Sequence, residues 1–284
     1  YTITVTRSTN TGAWTATAAM ASAGHGASTE AINGVIYVVG AYTGTQNGTV
    51  YAYDTVANSW TTKVSRLDAG SDKAHGVING ILYEAGGTGC CVDTADTYAY
   101  DPVANSWSTK APKLTHQGRA ASGVIGGKLY VAGGYNDQPS CCSIVNTLEA
   151  YDAAGNAWSS LTAMPTARQG AVGAVVNGIF YVIGGEVSSG AKLATVEAYD
   201  PVSNTWSTKA AMPTARSVPG AAVSDGIIYV IGGSDGVNAL TTVEAYNPVS
   251  NTWTTQPPMP TARQHFDAVA GTPIYARGGS NGVN

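Results

Sequence analysis

Six tryptophans constrain this chain more than any other feature. Trp14, Trp60, Trp107, Trp158, Trp206 and Trp253 are the only ones among 284 residues, and they stand 46, 47, 51, 48 and 47 positions apart. Turn-like strings precede them: DTVANSW (54–60), DPVANSW (101–107), DPVSNTW (200–206) and NPVSNTW (247–253). Further upstream lie apolar runs closed by glycine: VIYVVGA (35–41), ILYEAGG (81–87), KLYVAGG (128–134), IFYVIGG (179–185), IIYVIGG (227–233) and IYARGG (274–279). Self-similarity at such a period marks a repeat architecture.

Each repeat divides into four strand-like segments. In the fourth repeat a small apolar strand (AVGAVV, 171–176) meets Asn177-Gly178, a dipeptide suited to a two-residue hairpin turn. A second strand then ends in Gly-Gly, a third alternates (TVEAYD, 195–200), and a DPVSN turn leads to the tryptophan-bearing fourth. Four strands at this period predict one blade of a β-propeller. The glycines are expected to supply backbone angles or close approach that a side chain forbids, and Tyr and Trp to fill the space between blades. Residues 3–14 carry only a third- and fourth-strand pattern, and residues 263–284 only a first and second. The expectation is therefore an all-β, six-bladed propeller of four-stranded antiparallel blades, a single domain over residues 1–284. The N-terminal outer strands would join the C-terminal inner strands, close the ring and remove its open edge.

Composition agrees and excludes several functions. Charged residues are 11%, against roughly 25% in an average domain. Net charge is −4 with the signs interspersed, so no basic face is expected for nucleic acid. No apolar run approaches the roughly 18 residues of a membrane span, and no membrane partner is expected. The chain starts at Tyr1 without a signal peptide, which we read as a mature or trimmed chain.

The glycine pairs, aromatic-Asp-Pro turns and spaced tryptophans resemble the Kelch-repeat family along the whole chain. Gly40-Ala41 departs from the Gly-Gly pair, and Arg7-Ser8 from the Tyr-Asp of the third strand. The resemblance implies a binding platform in most cases and an enzyme in a minority.

Within such a ring the loops after Gly-Gly, and those leading into each innermost strand, share one face and carry most of the variation between blades. Variable loops on a rigid scaffold are where recognition sits. His25, His75, His116 and His265 all fall there, near the start of innermost strands. Arg119 breaks the repeat register, whereas Arg168, Arg216 and Arg263 each end an M-P-T-A-R string and suit loop carbonyls, a neighbouring blade, or a bidentate anion. Tyr42, Tyr135 and Glu186 follow the glycine pairs, and Asp72, Lys73, Gln169, Gln264 and Asp267 belong to the same region. The candidate ligand contacts are the four histidines, the four arginines, Tyr42, Tyr135, Glu186 and Asp267; the others only line the region. Glu84 and Arg277 stand in slots that other repeats fill with aliphatic residues, either as buried ion pairs or as site residues.

The function expected is a secreted module, without cofactor or metal and as a monomer, that binds a small polar molecule, glycan or peptide at the channel mouth. The alternative is a glycan-directed lyase, hydrolase or epimerase in the same pocket. Its acid–base groups would come from His75, His116, His265 or Glu84, with Arg119 or Arg277 stabilising negative charge. Cys90-Cys91 and Cys141-Cys142 occupy equivalent places in neighbouring repeats. Adjacent-residue disulfides, cross-blade disulfides and free thiols all remain open, and oxidised cysteines favour export.

Overall fold

The computed structural model describes residues 4–7 (backbone only), 12–20, 24–66, 68–88, 94–137, 143–270 and 273–282. It contains six four-stranded antiparallel sheets. Five follow chain order, over residues 28–63, 74–110, 121–161, 172–209 and 220–256, and are numbered here as blades one to five. The sixth is assembled from both ends of the chain. Asp267–Val269 pairs with Ile274–Arg277, which pairs with Thr4–Arg7, which pairs with Trp14–Thr17. The first strands of the six blades contact one another in a complete circle, so the wheel closes as the repeat predicts. The described residues form no helix long and apolar enough to cross a membrane.

The repeated turn string has a physical reason at nearly every position. In DPVSNTW, Asp200 Oδ1 accepts the Val202 N–H at 2.8 Å and so folds the turn. Asn204 takes a left-handed backbone (φ 54°), a conformation Asn tolerates better than most residues. Its Oδ1 accepts the Tyr199 hydroxyl at 2.7 Å and the Thr162 N–H of the preceding blade at 3.1 Å. Trp206 packs on Tyr199 with ring centroids 5.2 Å apart, and its Nε1 donates to the Thr162 carbonyl at 2.8 Å. Trp14, Trp60, Trp107, Trp158 and Trp253 reach backward to a carbonyl in the same way. The aromatic residues therefore both pack and stitch the blades.

The glycine pair combines positive φ with close approach. At Gly184 (φ 69°) an added Cβ would lie 2.6 Å from the Arg216 carbonyl oxygen. The first glycine of the pair turns its own carbonyl inward, toward a long donor from the incoming loop. Lys73, Gln117, Arg168, Arg216 and Arg263 each donate to one such carbonyl. Arg168 and Arg216 also pair with buried Glu197 and Glu244, and Lys113 pairs with Glu149 at 2.7 Å. Leaving one of these carbonyls or ions unsatisfied would be expensive, which accounts for the repetition of M-P-T-A-R.

Candidate functional site

Just ahead of each innermost strand the backbone passes through one left-handed residue: Gly26, Asp72, Arg119, Gly170, Val218 and His265, with φ between 47° and 68°. These six bond head to tail. The Gly26 N–H donates to the His265 carbonyl (3.1 Å), Asp72 to Gly26 (2.7 Å) and Arg119 to Asp72 (3.0 Å). Gly170 donates to Arg119 (3.0 Å), Val218 to Gly170 (2.7 Å) and His265 to Val218 (3.0 Å). The result is a closed collar with one residue from each blade and every donor pointing the same way round. Four members are not glycine. Left-handed backbone is strained for them, most of all for β-branched Val218, and such strain gathers at functional sites.

The collar sets the width of the mouth. Hydrogen-bonded neighbouring backbones lie about 5 Å apart, and a hexagon's corners are as far from its centre as from each other. Opposite Cα atoms are then about 10 Å apart, leaving at most about 6 Å between the backbones once carbon radii are removed, with the Asp72, Arg119, Val218 and His265 side chains at the rim.

Inside the collar lies a well of about 470 Å³ lined by all six innermost strands. Its walls differ in character. Blades three to five offer small or apolar residues such as Gly123, Val124, Ala174, Val175, Ala222 and Val223. The opposite wall carries Glu30, His75 and Asp267, from blades one, two and six. His75 Nε2 lies 2.9 Å from Asp267 Oδ2 and 3.8 Å from Glu30 Oε1, and its Nδ1–H donates to the Lys73 carbonyl at 3.2 Å. Ser122 holds the His75 backbone by accepting its N–H (3.0 Å) and donating to its carbonyl (2.9 Å). Asp267 accepts the Thr29 and Ala268 N–H groups as well, both at 3.0 Å.

These contacts set the charges. Burial disfavours the His75 imidazolium, but Asp267 and Glu30 outweigh it and push its pKa up to about 10. Burial raises Glu30 to about 7, with His75 opposing the rise and Asp267 adding to it. Among the described residues, the Glu30 carboxylate accepts no side-chain or loop hydrogen bond, and this imidazole is its ion-pair partner.

Outside the collar a polar vestibule of about 280 Å³ takes in Arg119, Gln169, Glu186, Lys192, Gln264 and His265. Glu186 accepts from Gln169 Nε2 (2.9 Å) and pairs with Lys192. Arg119 is a half-exposed guanidinium with Nε 3.7 Å from Asp72 Oδ2. His25 and His265 stack with centroids 5.4 Å apart, and Tyr42 covers His25 at 5.3 Å. Burial lowers both histidines' pKa values; Asp72 works against that and Arg119 with it. His25 Nδ1 and His265 Nε2 are buried atoms without a hydrogen-bond partner.

The structure thus brings His75, Arg119, Glu186, His265 and Asp267 to one axial region, places His25 and Tyr42 behind His265 without lining either cavity, and sets other candidates apart. His116 is exposed and lines neither cavity, because it stands in the loop three residues ahead of the collar. Tyr135 lines neither cavity; its backbone pairs with Gly118 and Ile144. Arg168, Arg216 and Arg263 are buried on the glycine carbonyls, so these ligand candidates serve the scaffold instead. Glu84 is fully buried against Arg66. Arg277 is buried with its guanidinium 3.9 Å from the Tyr53 ring centroid, flanked by Trp60 and Tyr275. Neither faces the well, so neither suits the acid–base or charge-stabilising role expected of it. Cys90, Cys91, Cys141 and Cys142 lie outside the described residues. No three His, Cys, Asp or Glu side chains among the described residues are grouped to hold a metal ion.

Sequence reasoning missed Glu30 and the collar. A signal for Glu30 did exist: it is a charge in an innermost strand, where other blades place Gly76, Gly123, Ala174 and Ala222. Four of the six collar positions carry no glycine to announce left-handed backbone.

Residues 77–279 match the KLHDC2/KLHL20/DRC7 Kelch-repeats domain, and residues 23–65 match the Kelch motif. A solved structure described as "Structure of YjhT" superposes with a TM-score of 0.80 at 17% identity, covering 93% of this chain and 92% of that one. No match was found among curated proteins.

Proposed function

This chain belongs to the Kelch-repeat family, an architecture of ligand- and protein-binding modules, and we propose that it holds a small polar ligand, a sugar or a peptide end, in the vestibule above the collar. The collar carries this reading. Six blades converge on one strained backbone circle, and its Arg119 and His265 side chains, both ionisable, edge a pocket of molecular size. Arg119 offers a planar donor face for a carboxylate or paired hydroxyls. His265 offers a neutral imidazole there, and His25 and Tyr42 stack behind it. Export from the cytoplasm is part of the proposal and rests on the low charge and the cysteine pairs of the sequence.

Thermal-shift screening of monosaccharides, sugar acids and short peptides, followed by titration calorimetry on Arg119→Ala and His265→Ala, tests the reading. A ligand that loses at least tenfold in affinity in both variants supports it. A ligand bound equally well by both places the site elsewhere.

The Glu30–His75 pair favours catalysis as a second reading, since a carboxyl titrating near 7 beside an imidazolium can move protons at neutral pH. A turnover rate that falls at least 100-fold in Glu30→Gln would support it, and a rate unchanged in that variant would refute it.

A further inference from the structure

The well beneath the collar is separate from the vestibule and has its own chemistry. It is entered on this face through a narrow ring, three of its blades carry no ionisable side chain in the wall below the collar, and it holds one carboxylate without a close donor. Glu30 stands four residues below the collar layer, which at strand rise is about 13 Å. Asp267 is already occupied by His75 and by the Thr29 and Ala268 N–H groups. Glu30 has only the imidazole at 3.8 Å among the described residues. At the collar, Asp72 supplies a second carboxylate, 3.7 Å from Arg119 Nε.

We propose that the well is a binding site for a linear aliphatic amine, a polymethylene chain with an ammonium group at each end, threaded through the collar so that one end meets Glu30 and the other Asp72. Each element of the well fits one part of such a ligand. An opening of at most about 6 Å passes an unbranched methylene chain, about 4 Å thick by carbon contact distance, and rejects a bulky cage. The partly buried Val124, Val175 and Val223 receive the methylenes, whose removal from water is favourable. Glu30 in its ionised form accepts the inner ammonium; His75 opposes a cation there, and Asp267 neutralises His75. A lysine side chain held by a peptide above the collar is too short for this depth, so the free amine is the fitting source.

Calorimetry at pH 8 with 1,8-diaminooctane, 1,4-diaminobutane and 1-adamantylamine provides the test on the full chain. We expect 1,8-diaminooctane to bind at least tenfold more tightly than the four-carbon diamine and 1-adamantylamine not to bind. Glu30→Gln should weaken the eight-carbon diamine at least tenfold, with an unchanged circular dichroism spectrum. Absence of heat at 10 mM diamine, equal binding by Glu30→Gln, or equal binding of the adamantyl amine would each overturn the proposal. The vestibule reading fails through different variants, Arg119→Ala and His265→Ala, so the two outcomes are distinguishable.

Discussion

Replacing Asp267 with Asn is expected to return His75 to ordinary titration. The rise of His75 from 6.5 to about 10 corresponds to about 5 kcal/mol favouring the imidazolium. Unit charges 2.9 Å apart attract by about 6 kcal/mol at an effective dielectric constant near 20. Asp267 is therefore large enough to hold the proton against burial, and Glu30 at 3.8 Å is the lesser partner. In the wild type, the His75 Cε1–H resonance, assigned with His75→Gln, should show no deprotonation step between pH 5 and 8.5, only a smaller inflection near 7 as Glu30 ionises. In Asp267→Asn the His75 midpoint should fall by at least two units. The stability consequence has a definite sign. Because the folded pKa is raised, the folded state keeps a proton that the unfolded chain loses near 6.5. The stabilisation is complete below that pH and is lost as pH rises toward 10, by up to about 1.4 kcal/mol per unit. Urea unfolding from pH 6 to 10 should show this slope in the wild type, and in Asp267→Asn it should flatten above the new midpoint. A wild-type His75 midpoint below 8, or an Asn variant with the same midpoint, would refute the electrostatic account of the cluster.

Three further outcomes test the scaffold. Arg168→Met leaves Glu197 buried without its cation and should destabilise by about 3–5 kcal/mol in urea, whereas Arg168→Met with Glu197→Val should recover most of that. Val218→Gly removes strain from the collar and should raise stability by about 1 kcal/mol after the entropic penalty of glycine; a fall in Tm would show that the left-handed valine is not strained. Asn204→Ala deletes the acceptor shared by Tyr199 and Thr162 and places alanine at φ 54°. It should cost about 2–3 kcal/mol, read by thermal unfolding.

The wheel was legible in the sequence because its contacts repeat. Trp206, Asn204 and Tyr199 do the same work in blade four as their counterparts elsewhere, and periodic residues reveal themselves by spacing alone. The closing blade was legible for the same reason, since residues 3–14 and 263–284 are complementary fragments of one pattern. The site was only half legible. Histidines and charges could be placed on the variable face, but their direction depends on neighbours distant in sequence. His75 meets Asp267 and Glu30 because the first strands of three blades converge on the axis, and no spacing encodes that meeting. Arg168 and Arg216 look like ligand arginines until the buried Glu197 and Glu244 are seen opposite them. The collar was invisible because its defining bonds join backbone groups, which carry no sequence signature unless glycine marks the angle.

The seam has a consequence for synthesis. The hairpin of Thr4–Arg7 and Trp14–Thr17 finds its sheet only through Ile274–Arg277. As the ribosome delivers the chain, five completed blades must wait as an open arc, with an unpaired strand edge liable to pair with another chain. The two strands that precede these five blades in the chain dock after them. Protection against aggregation during translation therefore falls to whatever shields that arc until Ile274–Arg277 has emerged.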